Sequence, residues 1–522
     1  MTKAREGGTA AVAGTSAPTR LLPRPDTVTV RLYRIGHGDC FLLAFATADP
    51  HKPTYVLVDC GYKPGSPAFL GTTPRDIVAD IRRATGGHID VVVITHEHQD
   101  HVNGFTAENF KGITFGECWF AWTENPDDAL AVRLRKRFAD RLTQLQVARK
   151  TLAAAASDGA GIKRIDSLLA FELGDEAERG FGITLAADGT AQSANQRALA
   201  LVRSLAGGRA RYLEPHGKAL TLQGAERVRV FALGPPKDEK LLHSLDPKGD
   251  EGFPEQAFAK ASVDGFFVDA LRAGADDDAR TGLSPFLPRY SVAFGSGVPL
   301  AYGSDFAAEH YGRQGVEAVA AGPEEDEVPD NAPWRRIDHD WLQSAEELAL
   351  AMNNDTNNGS LVLAIELGEG GKVLLLAADA QRGNWISWSQ GDWRDGERVV
   401  TARDLLARTV LYKVGHHGSH NATLHGEADA DYPNLAWMAQ GDHAAEFAAM
   451  LTAVEKWAVD KAGWHHPLPA IKDALLTKTG GRVFQTDTDL SDMSGKGLRT
   501  EWEGFLARAR GGALYMDYTI SY

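Results

Sequence analysis

A layered α/β fold is predicted by three features of this sequence: strand and helix signals alternate along it, metal-ligating residues crowd the end of one strand, and its composition is that of a globular protein. Strand signals at residues 28–35, 41–45 and 55–58 come first, with the turn residues Gly36 and Gly38 between the first two. A helix around residues 75–84 leads into the apolar run Ile89-Asp90-Val91-Val92-Val93-Ile94, and residues 117–122 read as a further strand. Residues 127–157 form a helical pattern, with Leu130, Leu134, Phe138, Leu142 and Leu145 spaced for one apolar face. Residues 227–233 alternate like a strand and end at Gly234-Pro235-Pro236. Residues 372–378 and 410–414 are apolar strands that run into Asp379 and into His416-His417.

The run Thr95-His96-Glu97-His98-Gln99-Asp100-His101 directly follows the strand at residues 89–94. Imidazole nitrogen and carboxylate oxygen are ligands for zinc, manganese and iron, and residues leaving a strand converge on one point while the sheet holds them rigid. A surface histidine cluster is the plain alternative, but such a cluster has no reason to follow a buried strand. The spacing suggests two metals. His96 and His98 reach one ion, while Asp100 and His101, on the opening turn of the next helix, reach a second about 3.5–4 Å away, so that the pair clamps a hydrolytic water.

His-x-His-x-Asp-His after a strand resembles the first metal motif of the metallo-β-lactamase superfamily. The resemblance implies a four-layer αββα sandwich with metals at the rim between its sheets, here with large helical and loop-rich insertions. It implies Asp379 as the metal-bridging aspartate and one of the paired histidines as the last ligand. The chain is similar in more detail to the metallo-hydrolase domain of the ComEC/Rec2 competence proteins and their soluble relatives. The segments that carry this are Gly36-His37-Gly38-Asp39, Val58-Asp59-Cys60-Gly61, Asn357-Asn358-Gly359-Ser360-Leu361-Val362-Leu363 and Lys413-Val414-Gly415-His416-His417-Gly418-Ser419. His466-Pro467 and Gly481-Arg482-Val483-Phe484-Gln485-Thr486-Asp487 follow in the same order. Three departures limit what carries over. His98 stands where that group has aspartate, Ala378 stands where glycine precedes the bridging aspartate, and nothing corresponds to the membrane channel. Only the hydrolase chemistry is therefore expected.

A chain of 522 residues exceeds one core, so the reading divides it. Residues 1–26 read as a disordered tail, 27–126 as the first part of the core, 127–225 as a mainly helical insertion, 226–236 as a core strand, 237–355 as a loop-rich insertion and 356–522 as the second part of the core. No apolar run reaches a membrane span and the N-terminus lacks a secretory apolar core, which together with three cysteines in no disulfide or metal pattern makes cytoplasmic the simplest location. Cys40 and Cys60 lie in apolar strand contexts and read as buried core. The net charge of −15 argues against a surface that grips long nucleic acid. One local exception is the helix at residues 127–157, which carries Arg133, Arg135, Lys136, Arg137, Arg141, Arg149 and Lys150; a solvated helix face is its default reading, and phosphate contact the alternative.

The expected metal ligands are thus His96, His98, Asp100, His101, Asp379 and His416, for two divalent ions, zinc first and manganese as the alternative. His416 is taken as the ligand because it leaves the strand first, with His417 beside it as proton donor and Asp100 orienting the nucleophile. A third histidine for the first metal is missing; His310 and His466 are the candidates, or the ion has two histidines, Asp379 and water, while Asn358 and Ser419 are candidates for holding substrate oxygen or for supporting the shell. Asp39 and Asp59 read as supports of the shell or of turns. Phosphodiester hydrolysis, of nucleic acid or a small molecule, is the first expectation; lactone, amide or thioester hydrolysis is the second, and a metal-binding defence or interaction module without catalysis the third. The sequence does not speak to oligomeric state.

Overall fold

The structure, a computed structural model, describes residues 20–68, 71–154, 159–174, 184–185, 191–253, 337–462 and 464–522. Most of the expected tail, His310 and the acidic loop runs lie outside these residues. The chain divides into two compact units, one of residues 1–121, 195–254 and 358–522, the other of residues 122–194 and 255–357.

The first unit is a pair of sheets. One runs in the order Ala509–Gly511, Tyr515–Ser521, Thr27–Tyr33, Phe41–Phe45, Thr54–Val58, His88–Val93, Thr114–Ala121, Ala210–Leu213. It is antiparallel through Thr54–Val58 and parallel beyond. The other runs Val483–Gln485, Ala448–Leu451, Thr409–Lys413, Lys372–Leu376, Val362–Leu367, Ala225–Gly234, Leu220–Leu222, parallel over its first four strands and antiparallel over the rest.

Alternation of side chains about each strand sorts the apolar residues into three layers. Val28, Val30 and Leu32 meet Val228, Val230, Leu363, Ile365 and Met450 between the sheets. The opposite face of the first sheet, with Leu42, Leu57 and Val92, packs on Ile77, Val78 and Ile81 and on Leu199 and Val202 of helix Ala194–Leu205. The outer face of the second sheet, with Leu375 and Tyr412, packs on Trp385, Leu405, Ile471 and Leu475. The layering is the expected αββα sandwich with insertions.

Helix Pro74–Thr85 shows how firmly local sequence sets these elements. Thr73 caps it in a reciprocal box with Asp76, proline opens its first turn, and Gly86 closes it at φ 69°. Asp80 of this helix and Asp517 of strand Tyr515–Ser521 each lie 2.7 Å from the guanidinium of buried Arg31. Helix and sheet are pinned together by that triad.

The second unit contains the helices Ala129–Ala154, Gly159–Leu173 and Ile337–Asn358, whose Leu145, Ile165, Leu169, Leu348 and Met352 form its own small core. Its basic helix is less of a phosphate track than its composition suggests. Arg149 pairs with Asp166 at 2.7 Å, Arg141 with Asp355 at 3.6 Å, and Arg135 donates to the carbonyl of Asn125 at 3.1 Å. The three cysteines are free and buried. Among the described residues no helix is long and apolar enough to cross a membrane.

Candidate metal centre

Seven chain segments, at Asp39, Asp59, residues 95–101, Ser360, residues 378–379, residues 413–417 and Thr452, meet where the strands of the two sheets end. Strand His88–Val93 delivers Thr95, whose N–H and hydroxyl donate to Asp59 at 2.9 and 2.6 Å. Asp59 leaves strand Thr54–Val58 in a left-handed conformation, φ 54°. His98 then starts the short helix Gln99–Val102, which carries Asp100 and His101. That helix crosses the Cys60-Gly61 turn so closely that a Cβ on Gly61 would stand 2.3 Å from the backbone nitrogen of His101. Glycine is required there by contact alone.

From the second sheet, strand Lys372–Leu376 leads through Ala378 to Asp379, and strand Thr409–Lys413 leads to His416 and His417. Ala378, His416 and His417 are left-handed, at φ 47°, 41° and 53°. With Asp59 they are four of seven such non-glycine residues among those described, so backbone strain is concentrated at this point. The carbonyl of Ala378 holds the turn together, accepting from His416 N–H at 3.0 Å and from the Lys413 ammonium at 2.8 Å.

The ring nitrogens are oriented by their outer partners. His101 Nδ1–H donates to Asp59 at 2.8 Å, which leaves Nε2 facing Asp379 Oδ2 at 3.2 Å. His417 Nδ1–H donates to the Thr452 carbonyl at 3.1 Å, which leaves Nε2 facing Asp100 Oδ2 at 3.1 Å and Asp379 Oδ2 at 3.8 Å. His96 Nδ1 lies 3.1 Å from the Thr95 hydroxyl and 3.2 Å from that of Ser360, and its Nε2 is 3.1 Å from His98 Nδ1. Lys413 Nζ sits 2.5 Å from Asp39 and 3.4 Å from Asp379.

A bare ring nitrogen set against a carboxylate oxygen is a contact between lone pairs, and only a proton or a metal cation resolves it. His101 Nε2, Asp39 Oδ1 and Asp100 Oδ1 are moreover buried without a hydrogen-bond partner. Asp39, His101 and His417 form one group whose ligand atoms lie within 4.8 Å of each other, and His96, His101 and Asp379 form another. These residues fit divalent cations.

The electrostatics say the same. Burial works against charge on His101, yet the carboxylates of Asp379, Asp39 and Asp59 outweigh it and raise its pKa well above the usual range. A proton there takes the place of a cation. Burial would raise Asp379 and Asp100, but His101, Lys413 and His417 hold the former, and the His417 contact and His101 the latter, well below the ordinary carboxylate range. Asp59 is raised by burial, with Asp39 adding to it. His96 is lowered by burial and by the neighbouring His101 and His98, and His416 is pushed down to about 4 by burial, with His417 adding. The Lys413 ammonium resists burial because Asp39 and Asp379 face it, and its pKa is raised.

The structure brings His96, His98, Asp100, His101 and Asp379 together, as read from the sequence. Of the paired histidines, expected as ligand first and proton donor second, it sets the second against the carboxylates. The left-handed turn swings the first ring, His416, away to a half-buried position beside His466 and brings the second, His417, to the carboxylates. Asn358 is not placed for substrate: its amide donates to the carbonyls of Leu241 and Leu242 at 2.8 and 2.7 Å, and its oxygen accepts from Asn384 N–H at 2.9 Å. Ser419 is buried in the same turn as His416, to whose carbonyl its N–H donates at 2.8 Å. Lys413, Ser360, Thr95, His37 and Thr452 were missed as site residues. The first four lie within or beside motifs already singled out, whereas Thr452 merely follows the apolar strand Ala448–Leu451 and gives no signal of its own.

A comparison with curated proteins found no match. Residues 35–107, from the first strand turn through the helix that carries Asp100 and His101, match the family model described as metallo-beta-lactamase superfamily. The segment of this similarity carries His96, His98, Asp100 and His101, and the His/Asp groups built around it form a candidate metal centre.

Proposed function

We propose that this chain is a metal-dependent hydrolase of phosphodiesters, acting through two divalent ions, zinc or manganese. The observation that carries the reading is the meeting of His96, His98, Asp100 and His101 with Asp379 and His417 in one buried cluster. His96 and His98 with Asp379 would hold one ion; Asp100, His101 and His417, again with Asp379, would hold the other. Ions bound there supply Lewis acidity and lower the pKa of water towards about 7.

The rest is the work of this chain's residues. Asp59 and Thr452 fix His101 and His417 in the tautomers that turn Nε2 inward. Lys413 offsets part of the charge of Asp39 and Asp379, so the carboxylates can be packed together without a full complement of cations. Asp100 has one oxygen on His417 and the other without a protein partner, which suits it to orient the attacking water.

A phosphodiester is favoured over other esters because the competence-type residues Asp39, Ser360, Lys413 and His417 are part of the cluster itself, not scattered through the core. A small diester is favoured over long nucleic acid by the net charge of −15 and by the internal pairing of Arg141 and Arg149. The test is hydrolysis of a generic phosphodiester, a lactone and single-stranded DNA by the zinc- or manganese-loaded chain and by Asp100→Ala. Metal-dependent diester cleavage that is lost in the variant is expected. Lactone cleavage alone would replace the substrate class, and full activity of the variant would remove Asp100 from the mechanism.

A further inference from the structure

His37 and His466 stand outside the ligand groups but form a wall of the centre. His37 is fully buried, with its ring 4.3 Å from that of His417 and with Trp457 and Trp464 at 5.5 and 5.9 Å. The Val454 backbone N–H donates to its Nδ1 at 3.3 Å. A nitrogen that accepts bears no proton, so the single proton of this neutral ring is on Nε2. That Nε2 lies 3.4 Å from Nδ1 of His466, and the two rings are nearly parallel. His37 Nε2–H therefore donates to His466 Nδ1, and His466 must carry its own proton on Nε2, the nitrogen not engaged by His37.

The position of His466 is as fixed as its tautomer. Leu468 N–H donates to the Gly418 carbonyl at 2.9 Å, and Gly418, at φ 80°, leaves open the space where a Cβ would stand 2.7 Å from Pro467. The His466 loop is thereby fastened to the paired-histidine turn. Its ring lies 5.3 Å from that of His416 and 6.3 Å from that of His417, and it is half-buried, so it reaches solvent beside the ligands.

We propose that His466 is a substrate-contacting residue of the hydrolase: the relay from Val454 N–H through His37 fixes its Nε2–H, and this N–H donates to an oxygen of the phosphoryl group. The choice of a phosphoryl oxygen rests on the phosphodiester reading above. A neutral donor suits the place. A lysine or arginine there would be repelled by bound cations, whereas an imidazole N–H can hydrogen-bond an anionic oxygen without that repulsion. His37 is the positioning residue, because it acts only through His466.

The test uses the zinc-loaded full chain. Nitrogen-15 spectra of histidine-labelled protein, with the His466 signal assigned by its loss in His466→Phe, should show His466 protonated at Nε2 alone, and a mixture of tautomers in His37→Phe. Inorganic phosphate should bind about tenfold more weakly to His466→Phe and to His37→Phe, in keeping with one lost hydrogen bond to a charged group. His466→Gln, which keeps an N–H donor, should recover most of that affinity, a readout that packing alone would not move. An Nδ1 proton or a doubly protonated ring on His466 in the wild type would overturn the relay. Unchanged phosphate affinity in His466→Phe would overturn the contact. Correct tautomers in a wild type that binds no phosphate and cleaves only lactones would instead sink the phosphodiester reading and, with it, the phosphoryl ligand.

Discussion

At the scale of single residues, the account rests on outer partners that set the protonation and aim of inner ones. Asp59 holds both Thr95 and His101. Asp59→Ala should therefore weaken metal binding by about 10–100-fold, measured as a dissociation constant by competition with a chelating dye, while most of the fold persists. Ala378 bears a left-handed φ of 47°, a conformation that costs an L-residue about 1–2 kcal/mol. Ala378→Gly relieves it at some expense of unfolded-chain entropy, so the unfolding free energy from denaturant titration should stay level or rise, by up to about 1 kcal/mol. A clear loss of stability would show that the methyl group packs usefully.

The same residues set a pH dependence for the metal-free protein. Burial and neighbouring rings hold His37, His96 and His466 well below the usual histidine range, and His416 at about 4. Below about pH 6.5 the unfolded chain takes up protons at these rings that the folded chain refuses, so stability falls as pH falls. His101 acts in the opposite sense, since its raised pKa contributes stability that is present below about 6.5 and lost as pH rises. His216, half-buried away from the site, is lowered by burial too, so five rings against one predict a melting temperature that declines from pH 7 to pH 5, checked by calorimetry after chelation.

At the scale of elements, the site depends on loops that touch without side chains between them. Gly61→Ala would drive a Cβ into the backbone of His101 and Asp100, and neither can retreat without moving ligands. Loss of metal binding, with or without loss of folding, is the expected outcome. Arg31 offers a contrast remote from the chemistry: it is buried between Asp80 and Asp517, and Arg31→Ala leaves Asp517 without this cation and Asp80 with only Arg83 and the Tyr33 hydroxyl. A destabilisation of about 3–5 kcal/mol is expected by denaturant titration.

The elements also show what the sequence made legible. His96, His98, Asp100, His101 and Asp379 could be read because each follows a strand whose apolar run marks its end, and sheet geometry then brings strand ends together. Which of the His416 and His417 rings faces the carboxylates could not be read. It turns on two left-handed residues in succession, and nothing in the side chains of His416 and His417 announces that conformation. Asn358 was legible as part of a motif but not as a brace for the backbone at Leu241 and Leu242, because those residues are distant in sequence. The short strands Ala210–Leu213 and Leu220–Leu222 were missed for another reason: each is an edge strand of three or four residues, too short for alternation to show.

For the molecule as a whole, the central claim is that the buried meeting point of the two sheets is a divalent-metal centre. Metal that binds only the folded chain must stabilise it, by about 4 kcal/mol at a thousandfold excess over the dissociation constant. The most direct measurement is metal content per chain after exhaustive dialysis, with the melting temperature before and after chelation, for wild type and for Asp379→Ala. Two zinc or manganese ions per wild-type chain, a fall in melting temperature on chelation, and loss of both effects in the variant are predicted. A wild type that retains no more metal than Asp379→Ala, and melts alike with and without chelator, would contradict the account.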